Sequence, residues 1–171
     1  MEEGPAGNTK YYEVSQMYSN IKLLALDFDG VLTNNKVIVD ENGKESVICN
    51  RSDSLGVGLL QKQGMDVIVI SKETNKVVKA RCNKLKIFCV QGIDDKVSIL
   101  KKEMQKRDLQ PENVCFIGND VNDIECIKYV GLGVAVNDAY SDVKKAAKVV
   151  TDKKGGEGAV REIIDKILEN H

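Results

Sequence analysis

Short apolar runs recur along the chain at Leu23–Leu26, Val67–Ile70, Phe88–Val90, Val114–Ile117 and Val134–Val136. Each is about four residues long and unbroken by polar positions, as in strands buried on both faces. Between the runs, apolar positions fall at helical spacing over Leu55–Gln63, Lys76–Lys84, Lys96–Arg107, Ile124–Tyr129 and Val143–Ala147. A last helix is predicted over Ala159–Glu169, with Val160, Ile163, Ile164 and Ile167 on one face. Strands alternating with helices predict an α/β fold: a Rossmann-like parallel sheet with helices on both faces.

One segment breaks the alternation. Lys36–Val39 and Glu45–Ile48 flank Asp40-Glu41-Asn42-Gly43, and Asn-Gly between two apolar runs signals a β-hairpin. The hairpin leaves the sheet just after the first strand and is too small to serve alone as a lid, so no large cap domain is expected. Residues 1–19 are polar and hold Gly and Pro before any apolar run. They read as a linker or tail, poorly ordered or packed on a neighbour, in front of one domain over 20–171.

Composition narrows the function. The 171 residues hold 25 Lys plus Arg against 26 Asp plus Glu, a formal net charge of -1. That balance argues against nucleic acid or a membrane surface as the main partner. No apolar run approaches the ~20 residues that span a bilayer, and no secretory signal is expected at the N-terminus. The five cysteines form no C-x-x-C pair and read as reduced thiols of a cytoplasmic protein, Cys89 and Cys115 as small core residues. The single histidine is the terminal His171, so Ser-His-Asp and Cys-His catalysis lack a base, and a histidine zinc site lacks ligands. Any chemistry here falls to carboxylates, hydroxyls, lysines and a hard metal ion.

Four segments carry such groups, each at the end of a predicted strand. The first strand runs into Asp27-Phe-Asp29-Gly30, two carboxylates on one side of extended chain with a glycine for the sharp exit. They lie where open parallel sheets place their active sites. Carboxylates so close repel unless a proton or cation joins them, which suits Mg²⁺. Ser71 ends the next strand; a hydroxyl there suits a phosphate oxygen, although taken alone a helix N-cap explains it as well. Lys96 opens a helix against the helix dipole, which an anion nearby would explain, although a surface lysine would do too. Gly118-Asn119-Asp120-Val-Asn-Asp123 ends a later strand with oxygen donors suited to Mg²⁺ rather than zinc.

In this order the motifs resemble the haloacid dehalogenase superfamily: Asp-x-Asp, a hydroxyl residue, a lysine, then an acidic cluster. The resemblance covers Ile21 to about Leu168. More narrowly, DFDGVLT at 27–33, the small hairpin, NRSDSLGVGLL at 50–60 and GGEGAVR at 155–161 resemble the 3-deoxy-D-manno-octulosonate 8-phosphate phosphatase group. Similar domains lie fused behind the cytidylyltransferase domain of some CMP-sialic acid synthetases, and GND at 118–120 with VQGIDDK at 90–96 is closer to those.

The resemblance implies roles. Asp27 is the nucleophile and Asp29 the general acid and base. Ser71, Lys96 and Gly30 bind the phosphate. Asp27, Asp29, Asn119 and Asp120 hold Mg²⁺, with Asp123 behind them. Lys72, Gly155, Gly156 and Arg161 belong to the substrate contact or to a subunit tail that covers a neighbour's site in a homotetramer joined by hairpins. The implied substrate is a sugar-acid phosphate, an octulosonate 8-phosphate or a sialic acid 9-phosphate. Two positions depart from the group: Asn119 stands where an aspartate is usual, and Ser71-Lys72-Glu73 replaces Thr-Gly-Arg. These departures leave a second expectation open, a weakly active or inactive domain that tetramerises a CMP-sialic acid synthetase.

Overall fold

The computed structural model describes residues 14–171. Residues 1–13 of the expected linker lie outside them; residues 14–19 are helical and bury Tyr18. The apolar face of Val14, Met17 and Tyr18 packs on the core, which is why this stretch joins the folded body.

Four buried runs and two short edge strands, the expected run Phe88–Val90 among the latter with Phe88 exposed, build a six-stranded parallel sheet. Its strands are β1 (Leu23–Leu26), β4 (Asp66–Ile70), β5 (Phe88–Val90), β6 (Val114–Gly118), β7 (Leu132–Ala135) and β8 (Val149–Val150). Their order across the sheet is β5-β4-β1-β6-β7-β8. β1 lies between β4 and β6, with Leu24 opposite both Val67 and Cys115. All four β1 residues are buried. β8 escapes the apolar pattern because it is two residues long, with Val150 exposed.

The helices are α1 (Arg51–Lys62), α2 (Lys76–Leu85), α3 (Lys96–Lys106), α4 (Ile124–Tyr129), α5 (Ser141–Ala146) and α6 (Ala159–Glu169). α1 starts four residues before the apolar spacing does. Asn50 is its N-cap and accepts the Ser52 N–H at 2.8 Å, so a polar first turn is helical through capping. α6 has the bounds the sequence predicts, with Val160, Ile163, Ile164 and Ile167 all fully buried. Each such side chain stabilises the fold by about 1.5–3 kcal/mol relative to exposure. Among the described residues no helix is long and apolar enough to cross a membrane.

β2 (Thr33–Val39) and β3 (Glu45–Cys49) form a separate antiparallel hairpin. Its turn is fixed by Asp40, whose Oδ1 accepts the Asn42 and Lys44 amides, both at 2.9 Å. Val37, Ile38, Val39 and Ile48 are exposed on it.

Candidate active site

Because β4, β1 and β6 are neighbours, the residues after each come out side by side at one edge of the sheet. Asp27 follows β1, and its amide still bonds the Ile117 carbonyl of β6 at 3.0 Å. Ser71 follows β4, and Asn119 to Asp123 follow β6. Asp27, Asp29, Ser71, Lys72, Asn119 and Asp120 all line one cavity of about 380 Å³.

Lys96, the first residue of α3, reaches beneath this cavity. Its Nζ lies 2.8 Å from Asp27 Oδ1 and 2.8 Å from Asp123 Oδ1, with all three side chains buried. These partners answer the puzzle of a cation at a helix start. Burial works against the Lys96 charge, but Asp27 and Asp123 outweigh it and raise its pKa. Burial, and then Asp123, also push the Asp27 carboxyl up, against the pull of Lys96. Two carboxylates share one ammonium here. If both ionise, the cluster keeps one negative charge.

Asp123 does a second job. Its Oδ2 accepts the Asn119 N–H at 2.9 Å and the Asp120 N–H at 3.3 Å, so it fixes the direction of the loop after β6. Asp29 stands nearer solvent. Thr33 Oγ1 donates to its Oδ1 at 3.5 Å and itself accepts the Gly30 and Asn35 amides, each at 3.2 Å. Burial, and then the charge of Glu73, raise the Asp29 pKa, the direction a general acid needs. Ser71 is buried, and its Oγ accepts the Glu73 N–H at 3.1 Å, which leaves its proton free to donate. It does not cap α2; Asn75 does, accepting the Val77 N–H at 3.0 Å. Lys72 pairs with Asp94 at 3.0 Å on the exposed rim.

Four sequence-chosen positions lie elsewhere or act differently. The Gly30 amide is spent on Thr33, so its importance is steric: at φ 80 it passes Asn119 so closely that a Cβ would come within 1.9 Å of the Asn119 amide nitrogen. Gly155 and Gly156 pack on the backbone of Gly30 to Asn34 in their own chain, outside the cavity lining. Arg161 pairs with Asp165 at 2.6 Å on α6, also outside it. Asn35, Glu73, Thr74 and Asn122 also line the cavity and were not among the expected site residues. Glu73 and Thr74 directly follow Ser71-Lys72, and that adjacency was the available signal. Asn35 gave none: its left-handed backbone, φ 62, is visible only in the structure.

The donor set fits a hard divalent cation. Asn119 is buried, and its Oδ1 has no hydrogen-bond partner; such an orphaned oxygen asks for an ion or a donor. The surplus negative charge beneath it points the same way. Among the described residues no group of three or more His, Cys, Asp or Glu side chains is arranged to hold a metal. Asp27, Asp29 and Asn119 line the cavity together as candidate oxygen donors. Asp120 lies at the edge, with its Oδ1 already accepting the Val121 N–H at 2.7 Å.

Comparison with known proteins follows the same lines. A family model for haloacid dehalogenase-like hydrolases matches residues 61–164. The 3-deoxy-D-manno-octulosonate 8-phosphate phosphatase of Yersinia pestis is 37% identical over 157 residues, covering 91% of this chain and 84% of that protein. The Moraxella catarrhalis enzyme of the same name, solved with a magnesium ion, a phosphate ion and KDO, superposes with a TM-score of 0.90. It is 30% identical and covers 93% of this chain and 92% of its own. A putative superfamily hydrolase from Legionella pneumophila gives a TM-score of 0.93 at 34% identity, covering 96% of this chain and 91% of its own. With one family model across most of the chain and a relative 37% identical along 91% of it, this chain belongs to the haloacid dehalogenase-like hydrolases.

Proposed function

We propose that the chain is a Mg²⁺-dependent phosphatase that hydrolyses the phosphate monoester of a 2-keto-3-deoxy sugar acid through a phosphoaspartate. One observation carries the reading: Asp27 is held at the cavity floor by a buried ammonium while Asp29 stands beside it with a raised pKa. The names of the relatives support the substrate class.

Both donors to Asp27, Lys96 Nζ and the Phe28 N–H at 2.7 Å, fall on Oδ1. Oδ2 is therefore the attacking oxygen. It forms a bond to phosphorus as the bond to the sugar oxygen breaks, and the leaving oxygen takes the Asp29 proton. Asp29, now ionised, takes a proton from water, which attacks the phosphoaspartate and restores Asp27. Ser71 Oγ–H and Lys96 balance charge on the phosphoryl oxygens during both transfers. Asp27, the Asp29 main-chain carbonyl and Asn119 would hold Mg²⁺, with Asp120 alongside. When bound, the ion supplies charge neutralisation for the phosphoryl group and the cluster beneath it.

Lys72, a cation on the rim, suits the substrate carboxylate, whether octulosonate or sialic acid. The exposed Val37, Ile38, Val39 and Ile48 support assembly through hairpins as a homotetramer. The five free thiols support a cytoplasmic setting. The second reading, a weakly active domain that tetramerises a cytidylyltransferase, has Asn119 in its favour, because an amide brings no charge to the ion.

Inorganic phosphate release from a panel of sugar-acid phosphates, with and without Mg²⁺, separates the two. The phosphatase reading expects Mg²⁺-dependent turnover, cut by about 10⁴-fold or more in Asp27→Asn, as when a nucleophile is removed. Equal background release from both proteins favours the scaffold.

A further inference from the structure

Two marked stretches of the sequence, residues 50–60 and 155–161, take no part in the chemistry above. Asp53 joins them. It lies in the first turn of α1 and is 1% exposed. Its Oδ1 accepts the Arg161 N–H at 2.8 Å, from 108 residues along the chain. Its Oδ2 is buried with no hydrogen-bond partner. A buried carboxylate with one oxygen unsatisfied opposes folding, so stability alone does not account for it.

α6 explains the need. Its N-cap is Gly158, at φ 101, which has no side chain to close the first turn. Asp53 closes it from the neighbouring helix, with its charge at the positive end of the α6 dipole. Just upstream, two glycines lie flat against the loop after β1. The Gly156 N–H donates to the Val31 carbonyl at 2.9 Å. A Cβ on Gly155 would lie 1.7 Å from the Gly30 carbonyl oxygen, and one on Gly156 2.3 Å from the Thr33 carbonyl carbon. Backbone meets backbone with no side chain between to yield. The loop so pressed ends in Thr33, whose hydroxyl faces Asp29.

We infer that Asp53 is a positioning residue for Asp29. By capping α6 it fixes the Gly155–Gly158 backbone, and that backbone holds Gly30 to Thr33 and hence the Asp29 carboxylate. Its effect on rate rests on the phosphatase reading; its mechanical effect does not.

The test uses the full chain. Asp53→Ala lowers kcat by about 10- to 100-fold while KM stays within about twofold, because the groups that hold the phosphate are untouched. Asp53→Asn keeps the Oδ1 acceptor and recovers kcat to within about threefold of the parent. Amide hydrogen exchange, followed by mass spectrometry, speeds up in Asp53→Ala over residues 28–35 as well as 155–162, and stays unchanged over 66–70. If Asp53→Ala does not fold, Gly156→Ala breaks the backbone contact directly and gives the same kcat loss and the same faster exchange at 28–35. A folded Asp53→Ala with unchanged kcat overturns the inference, as does faster exchange confined to 155–162, or a Gly156→Ala protein that behaves as the parent. Should the parent cleave no phosphate ester, the phosphatase reading falls, and the exchange experiment still decides whether the two loops are coupled.

Discussion

Asp29 owes its raised pKa to burial first and to the Glu73 charge next, with the Thr33 hydroxyl pulling it back. It must carry a proton when the sugar oxygen leaves, so turnover holds below its pKa and falls as the pH rises through it. Glu73→Gln removes the second cause and keeps an oxygen for the Thr74 and Asn75 amides that Glu73 Oε1 now holds at 2.7 and 2.9 Å. The alkaline limb of kcat/KM then moves to lower pH; a pH–rate profile that does not move would remove Asp29 as the acid. The placement of Asp27, Asp29, Ser71 and Lys96 at one edge of the sheet was legible because each lies at or just past the end of an element whose period shows in the sequence. Asp53 was not: it looks like a surface acid in a polar turn, and its burial is decided by α6, which packs on α1 from the far end of the chain.

At the scale of elements, the first turn of α6 also anchors the loop that follows β8. Glu162 accepts the Asp152 and Lys153 amides at 3.0 Å each and the Lys166 ammonium at 3.0 Å. Burial works against its charge, but these bonds win and hold its pKa below the ordinary glutamate value. Its pKa is lower folded than unfolded, so it stabilises the fold above the ordinary value, and this is lost as the pH falls through the folded one. Glu162→Gln is expected to lower the unfolding free energy by about 1 kcal/mol at neutral pH, with parent and variant converging in acid. Urea unfolding at several pH values checks this. The α6 bounds were readable because four apolar positions keep one helical face. β8 was not, because two residues carry no period, and its pairing with β7 through Val134 and Val149 is a tertiary fact.

The whole molecule presents an apolar hairpin to solvent, which in a lone subunit invites association. A mass near four times the 18.9 kDa chain is expected in solution. Ile38→Lys combined with Ile48→Lys should reduce it to a single chain without unfolding the sheet, because neither residue belongs to the core. A parent that sediments as a monomer at micromolar concentration would end the tetramer proposal. The doubly covered sheet was legible from the runs and their spacing. The docking of residues 14–19 was not, since three apolar side chains in a polar stretch acquire a face only once the core exists to receive them.

Asp123 grips the ammonium and the loop together, and this restricts how such a chain can diversify. Neither partner can drift alone: moving one strains the other through a single shared carboxylate. The floor of the cavity is inherited as a block. Lys72 and Thr74 on the rim are exposed and take no part in that block. New preferences for incoming molecules therefore arise around the mouth, while the reacting atoms keep their places.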